Sequence, residues 1–246
     1  MNIRMITAVL CIMFARTASA VVVLQDDFSG GKGAWVARAI AGGAIAFTDG
    51  AVKISPDVRK EQPVSVFRDI GTVVLRDGDT LRITVDVSTS FTTAKDRDLR
   101  IGLGFSNPAI SGDSTVLMVP LTGYICGIPS AGSTADPRII WVNAGGGSLN
   151  FFNSSTATVG NPALDNKVSA SSSPKTWVFE ITRNGNELVF SGSLGGNPFG
   201  KVIASGDRVI NGFQFNTVGL SYAYAGGQTA MYDNLKVEVI PVVILG

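Results

Sequence analysis

The sequence predicts an all-β fold, a two-sheet antiparallel jelly-roll β-sandwich. Apolar and polar residues alternate over 81–88, which is the period of a strand with one buried face. Two more alternating segments, 177–183 and 187–191, flank Asn184-Gly185-Asn186, and Asn-Gly between such segments is a strong hairpin signal. No segment after residue 20 has convincing helical periodicity, so strands are expected to build the whole domain.

The same pattern places the other strands and the loops between them. Further strands are predicted near residues 99–105, 116–119, 138–142, 149–152, 202–204, 213–222 and 231–240. Clusters of Gly, Pro, Ser and Asp mark long loops at 106–114, 129–137 and 153–174. No break in composition separates a second domain, so residues 21–246 are predicted to form a single domain.

The first twenty residues have the layout of a secretory signal peptide. A basic start with Arg4 precedes an apolar run over 5–15, and the segment ends in small residues at 18–20. The run is about half the length of the roughly twenty residues that span a bilayer as a helix, so no stable membrane span is expected. We predict cleavage after Ala20 and a secreted protein, either extracellular or periplasmic.

The charge balance argues against a nucleic-acid partner. The chain has 20 Lys and Arg against 19 Asp and Glu, and the leader contains Arg4 and Arg16 without any acidic residue. The mature chain is therefore close to neutral, whereas nucleic-acid binding requires a basic face. The near-neutral charge does not indicate binding to an anionic membrane surface either.

The absence of histidine narrows the possible chemistry. Without it, Ser-His-Asp and Cys-His nucleophilic sites cannot form, and histidine-ligated zinc is excluded. Once the leader is cleaved, Cys126 is the one cysteine left in the sequence, so no internal disulfide can form. Its apolar neighbours predict a buried, unreactive thiol.

The two ends of the mature chain carry a resemblance to a known superfamily. Residues 23–30, which contain Asp26-Asp27-Phe28, are followed by Trp35, and residues 230–239 contain Tyr232-Asp233-Asn234. With the Trp-led hairpin at 176–188, they resemble the concanavalin A-like lectin/glucanase superfamily, including laminin-G-like members, and jelly-roll carbohydrate-binding modules. The resemblance implies the sandwich but not an activity, because such folds serve lectins, hydrolases, lyases and adhesive modules.

The resemblance also implies a structural calcium ion near the joined chain ends. Its ligands would be Asp26 or Asp27 from the opening strand and Asp233 from the closing strand, with the Asp49-Gly50 turn nearby. Calcium takes about six to eight oxygen ligands, which this group can supply only if the ends meet. The alternative is that these carboxylates cap strand ends and bind water.

The glutamates do not form the catalytic motif of laminarinase-type members. Those enzymes place Glu-x-Asp-x-x-Glu on one strand, so that alternate carboxylates enter one cleft. The mature chain has four glutamates, none of them in that pattern: Glu61, Glu180, Glu187 and Glu238. Thr182 stands where a second carboxylate would follow Glu180. We therefore assign no catalytic residue.

A sugar-binding platform is predicted around Trp141. An aromatic face can stack on a pyranose ring while polar side chains bind its hydroxyl groups, and alternation over 138–142 separates Trp141 from its apolar neighbours. The predicted platform comprises Trp141, Asn143, Tyr124, Arg138, Asn150 and Phe151. The alternative is that Trp141 packs inward, as is predicted for Trp35 and Trp177.

Three functions remain open at this stage. The leading hypothesis is a secreted, non-catalytic module that binds a polysaccharide or other glycan, or adheres to a surface. The second is a glycoside hydrolase or polysaccharide lyase with an unrecognised carboxylate site. The third is a structural protein of an envelope or matrix.

The leader generates the first testable prediction. Protein recovered from culture medium or periplasm should begin at Val21 when its N-terminus is sequenced, because the small residues at 18–20 form the cleavage site. Recovery of the protein from membranes with Met1 intact would contradict secretion.

Overall fold

A computed structural model describes residues 19–39, 42–56, 63–90, 99–114, 121–128, 137–142, 152, 157–160, 170–209, 211–222 and 229–243. These residues form β-strands and two short 3-10 helices, and they contain no α-helix. The predicted all-β fold is confirmed. No helix in the described ranges has the length and apolar character needed to span a lipid bilayer.

The described strands form two antiparallel sheets. Sheet A contains β1 (Val21–Asp26), β3 (Ala44–Thr48), β4 (Ala51–Ser55), β6 (Thr80–Thr89), β11 (Lys175–Asn184), β12 (Glu187–Leu194), β13 (Asn197–Pro198), β14 (Val202–Ala204) and β16 (Ala230–Ile240). Sheet B contains β2 (Val36–Arg38), β5 (Val64–Val74), β7 (Leu99–Ser106), β8 (Leu121–Ile128), β9 (Arg138–Val142), β10 (Ala157–Gly160) and β15 (Gln214–Tyr222). The 3-10 helices are Gly206–Arg208 and Asn211–Phe213.

The order of the strands brings distant parts of the chain together. Sheet A runs β13-β12-β11-β6-β16-β4-β3, with β1 also paired to β16 and β14 to β12. Sheet B runs β10-β9-β8-β7-β15-β5-β2. The predicted hairpin is present as β11 and β12, where Asn184 pairs with Glu187 and Gly185 has a φ of 59°. The predicted two-sheet sandwich is confirmed.

The first and last strands of the fold lie side by side. β1 pairs antiparallel with β16, from Val21 opposite Val239 to Asp26 opposite Leu235. β4 pairs with the preceding part of β16, where Val52 lies opposite Tyr232. The two chain ends therefore form one antiparallel pair, as predicted. The end of β1 and the start of β4 both lie along β16.

The main core lies between the sheets. From sheet A, alternate residues of β6 and β11 enter it, among them Ile83, Val85 and Trp177, and all three are fully buried. Trp35 is buried as well, so both tryptophans predicted for the core are confirmed there. Cys126 is also buried in this core, and its burial raises the pKa of the thiol.

A second apolar cluster covers the outer face of sheet B. Its buried members are Phe67, Leu121, Ile125, Ile140, Val142 and Phe152. The rings of Phe67 and Phe152 lie 5.5 Å apart, and both approach Gly219, where an added Cβ would come within 2.9 Å of each ring. Arg100 donates a hydrogen bond to the Phe152 carbonyl. Sheet B is thus covered by apolar side chains on both faces.

A buried hydrogen bond between the sheets allows the packing to be tested. The Tyr232 hydroxyl on sheet A donates to the Ser221 carbonyl on sheet B at 2.5 Å, and burial raises the pKa of this tyrosine. Tyr232→Phe should lower the free energy of unfolding by about 1–2 kcal/mol in denaturant titrations, because the donor is lost inside the core. Thr182→Val removes a hydroxyl that is hydrogen-bonded to the Thr80 hydroxyl on the part-buried outer face of sheet A. It should lower the free energy of unfolding by less than Tyr232→Phe does. Equal losses would contradict this role for Tyr232.

Candidate functional site

In the structure, the two described aromatic residues of the predicted platform lie on the face of sheet B that packs against the core. Tyr124 on β8 lies opposite Trp141 on β9, so their side chains share one face of sheet B. Tyr124 is fully buried, its ring lies 4.8 Å from Phe190, and its hydroxyl donates to the Arg208 carbonyl at 2.6 Å. Trp141 packs against the same core, and its indole N–H is buried without a hydrogen-bond partner among the described residues. The Tyr124 ring therefore offers no surface on which a sugar could stack, whereas Trp141 is partly buried.

The rest of the predicted platform is divided. Arg138 lies on the opposite face of sheet B, and its guanidinium donates to the Thr158 hydroxyl at 2.9 and 2.6 Å. Asn143, Asn150 and Phe151 lie outside the described residues. The described members of the platform therefore do not form one surface.

The acidic residues predicted to bind calcium lie on different faces of sheet A. Asp26 is opposite Leu235, which is fully buried in the core, so Asp26 lies on the inner face. Asp233 is opposite Asp86, whose neighbours Val85 and Val87 point into the core, so Asp233 lies on the outer face. A β-bulge in β16 after Asp233 separates the two registers.

The side chains of Asp26, Asp49 and Asp233, which were predicted to bind calcium, each interact with a nearby group of the protein. Asp26 accepts hydrogen bonds from the Phe28 N–H at 2.7 Å and the Trp35 indole N–H at 2.8 Å. The Lys53 ammonium lies 2.8 Å from Asp49 and holds the pKa of that carboxyl below its ordinary value. Asp233 accepts from the Asn234 N–H at 2.6 Å.

The turn at Gly50 does approach the end of β1. An added Cβ at Gly50 would lie 3.5 Å from the Asp27 carbonyl oxygen. Within the described ranges, however, no three acidic, histidine or cysteine side chains gather in a way that could hold a metal ion. The described acidic side chains thus do not supply the shared ligand set, and calcium stays a prediction.

Glu180, the nearest catalytic candidate, is held by an arginine. Arg82 on β6 lies between Glu180 on β11 and Glu238 on β16, with nitrogen–oxygen distances of 2.7 Å and 3.6 Å. Ser191 donates to the other oxygen of Glu180 at 3.0 Å, and Lys236 lies 2.6 Å from Glu238. Both oxygens of Glu180 are thus engaged in a network on the outer face of sheet A.

A polar cavity opens where the end of β1 approaches β5 of the other sheet. Its volume is about 560 Å³, which is within the range of small-ligand sites. It is lined by Gln25, Asp26, Asp27, Gly30, Gly31, Gly33 and Arg68. Two of the predicted metal ligands therefore line this cavity together with a guanidinium group.

Two of the lining side chains, Arg68 and Asp27, have hydrogen-bonding groups without a described partner. Arg68 makes no hydrogen bond or ion pair within the described part of the chain. Gln25 lies opposite Lys236 on the outer face of sheet A, so its amide points away from the inner face on which Asp26 lies. Asp27 uses Oδ1 to accept from the Ser29 N–H and hydroxyl at 3.0 and 2.7 Å, which leaves Oδ2 without a described partner. These hydrogen bonds hold the pKa of the Asp27 carboxyl below its ordinary value.

The wall of the cavity is fixed by contacts around it. Asp26 joins the end of β1 to Trp35, whose ring lies 5.5 Å from Phe28. Lys32 in the same loop forms an ion pair with Asp113, and Asp113 also accepts from the Ala37 N–H at 2.9 Å. The loop from 27 to 35 is therefore attached at both ends.

Sequence reasoning missed Arg68 and did not assign Gln25 to a site. Arg68 follows the buried segment 64–67 and faces the glycine-rich loop, with its Nη1 3.5 Å from a Cβ placed at Gly33. A signal was available in the glycine-rich segment after Asp26-Asp27, because glycines leave backbone open to a ligand. The spacing of residues along the sequence does not show that β5 brings Arg68 to this loop.

Comparison with known proteins identifies the fold. No family model and no curated protein matches the sequence. Solved structures match nearly the whole chain, including an endo-1,3-beta-glucanase from Streptomyces sioyaensis, which is 14% identical with a TM-score of 0.55 over 92% of this chain and 98% of its own. A basic winged bean lectin with Tn-antigen is 10% identical with a TM-score of 0.54, over 90% and 98%.

A third match is a protein of unknown function with a galectin-like fold from Bacillus subtilis. It is 14% identical with a TM-score of 0.53, over 92% of this chain and 99% of its own. The chain has the concanavalin A-like lectin/glucanase fold. At this level of identity, the likeness shows the fold alone.

The contacts of Asp26 lead to a stability prediction. Asp26→Ala should lower the free energy of unfolding by about 2–4 kcal/mol, because the buried Trp35 N–H and the Phe28 N–H both lose their acceptor. Asp27→Ala should change stability much less, because Asp27 accepts only from the exposed Ser29. A loss confined to calcium-containing buffer would instead place an ion at Asp26.

Proposed function

We propose that this chain is a secreted, non-catalytic glycan-binding module and that the polar cavity at the end of β1 holds the sugar. The observation that carries the proposal is the convergence on one cavity of two side chains, Asp27 and Arg68, that have hydrogen-bonding groups without a described partner. Other polar groups nearby, such as Asp26 and Asp113, already have partners within the protein.

The chemistry of the cavity matches that of a sugar. A guanidinium donates hydrogen bonds and a carboxylate accepts them, so together they can satisfy hydroxyl groups, which are both donors and acceptors. The cavity volume of about 560 Å³ is also suited to a small ligand. Its described lining contains no aromatic side chain, so we expect hydrogen bonding to dominate over stacking.

The fold is compatible with both binding and catalysis, and the contacts of Glu180 favour binding. Among the structures with this fold are a peanut lectin and a Bauhinia forficata lectin in complex with GalNAc, as well as an endo-1,3-beta-glucanase. Most glycoside hydrolases use two carboxylates that flank the scissile bond, whereas both oxygens of Glu180 are bound by Arg82 and Ser191. We therefore favour a module that holds a glycan without cleaving it.

A glycan array and matched variants test this proposal. The protein should retain glycans on the array, and Arg68→Ala should weaken the binding at least about tenfold, which is ~1.4 kcal/mol. Arg76→Ala is the control, because Arg76 is exposed just beyond the same strand and does not line the cavity.

A second variant tests the location by steric block. An added Cβ at Gly30 would meet no atom within 4 Å and the backbone there is unstrained, so Gly30→Leu should fold normally and fill the cavity. It should therefore abolish binding with little change in melting temperature. Release of reducing sugar or of unsaturated products from a polysaccharide panel would overturn the non-catalytic assignment.

A further inference from the structure

We propose that residues 107–114 form a strap fixed to sheet B, and that the ion pair between Lys32 and Asp113 latches the glycine loop, residues 27–35, to this strap. Opening of the latch would free the glycines that line the cavity and widen the access to Arg68. The inference goes beyond the proposed function, because it concerns how the wall of the cavity is held and not what the cavity binds.

The strap is attached to sheet B along its length. Ile110 packs against the apolar cluster on the outer face of this sheet. Arg38 on β2 is buried, and its guanidinium donates to the carbonyls of Ser111 and Gly112. Ser114 exchanges backbone hydrogen bonds of 3.1 and 3.3 Å with β2 and the residue after it. The strap therefore keeps its position whether the latch is closed or open.

β15 links the start of the strap to the cavity arginine. Asn216 lies at a bulge in β15, and its amide exchanges two hydrogen bonds of 2.9 Å with the backbone of Ser106, the residue before the strap. Two residues further along β15, Val218 lies opposite Arg68 on β5. The strap and Arg68 are thus tied to the same strand, whereas the glycine loop is a separate segment that must be fastened to them.

The glycine loop is anchored at its two ends and exposed between them. Phe28 and Trp35 are buried, while most of the residues between them are exposed. Three of these six residues are glycines, which lose the most conformational entropy when they are ordered. Two local bonds close turns here, from the Gly31 N–H to the Phe28 carbonyl at 3.1 Å and from the Trp35 N–H to the Lys32 carbonyl at 3.0 Å. A contact from outside the loop is therefore needed to hold its middle in place.

The Lys32–Asp113 ion pair supplies this contact. Lys32 is the single basic residue of the glycine loop, and Asp113 is the single charged residue of the strap. The two side chains meet although they are 81 positions apart in the sequence. Asp113 accepts from Lys32 with Oδ2 and from the Ala37 N–H with Oδ1, the latter at 2.9 Å. One carboxylate thus joins the glycine loop, the strap and β2.

The exposure of the latch makes it sensitive to salt. The side chains of Lys32 and Asp113 are 43% and 51% exposed, so dissolved ions can screen their attraction. The hydrogen bonds from Lys32 and the Ala37 N–H lower the pKa of the Asp113 carboxyl, and the charge of Arg38 acts in the same direction. The carboxylate therefore stays ionised at more acidic pH than an ordinary aspartate. Rising ionic strength at neutral pH should accordingly open the latch, whereas acid should open it only below the usual range of aspartate.

Amide hydrogen exchange, measured by NMR on the isotope-labelled protein without any ligand, tests the latch. The Gly31 and Trp35 amides are hydrogen-bonded within the glycine loop, so their exchange reports its opening. At low salt, Lys32→Gln should speed the exchange of both amides by about two- to fivefold, the range expected for loss of an exposed ion pair. Lys32→Arg should restore the slow exchange. The Gly195 amide, bonded to the Thr176 carbonyl at 2.8 Å, is the internal reference and should not change.

Asp113→Asn separates the charge of the latch from the structure of the strap. Asparagine keeps an oxygen for the Ala37 N–H, so the strap should stay in place while the ion pair is lost. Exchange of the two reporter amides should rise as in Lys32→Gln, and the double variant should be no faster than either single variant. Lys53→Gln breaks the exposed ion pair with Asp49 and is the matched control, which should leave both amides unchanged.

The response to salt distinguishes a latch from a merely structural contact. Raising the ionic strength from about 0.01 M to about 1 M shortens the screening length from ~30 Å to ~3 Å. Exchange of the reporter amides in the wild-type protein should then rise to the level of Lys32→Gln, which should itself respond little. Equal exchange in the two proteins at low salt, or the same salt response in both, would overturn the inference. Neither result depends on the glycan array, so the latch and the proposed function can fail separately.

Discussion

The antiparallel pairing of β1 with β16 is the constraint on which the rest of the structure depends. It fixes which side chains of β1 face inward, and so it places Asp26 beside the buried Trp35 and across from Leu235. The loop that follows is then held over β5, where Arg68 lies. Had the register shifted by one residue, Asp26 would face solvent and the indole would lose its acceptor. The cavity is thus a product of strand register more than of any single motif.

The architecture was largely predictable, because many strands bury one face and expose the other. β6 and β11 follow this rule, and their bounds differ from the predicted ones by few residues. β8 and β5 were missed, and for β8 and the first half of β5 the reason is physical. Both faces of these segments are covered, one by the main core and one by the cluster around Phe152, so nearly all of their residues are buried and no apolar-polar alternation marks them.

The candidate site was harder to predict, because it depends on which face of a strand is buried. Alternation correctly separated Trp141 from Ile140 and Val142, yet it could not tell which set meets sheet A, since both sets pack against apolar clusters. The chain ends were correctly expected to meet, but the bulge in β16 puts Asp233 on the face opposite to Asp26. Arg68 is brought to the cavity by pairings between strands that are far apart in the sequence. The local spacing of residues gives no information about such pairings.

The joined first and last strands also determine how the domain would respond to tension. Val21 and Val239 lie opposite each other, so the chain enters and leaves the ladder at the same end. A pull applied to both points would load the hydrogen bonds between β1 and β16 one after another, as in a zipper, and not all at once, as in shear. Peeling β1 away would carry Asp26 from Trp35 and dismantle the cavity wall early. A ligand held there would be released under load well before the two sheets separate.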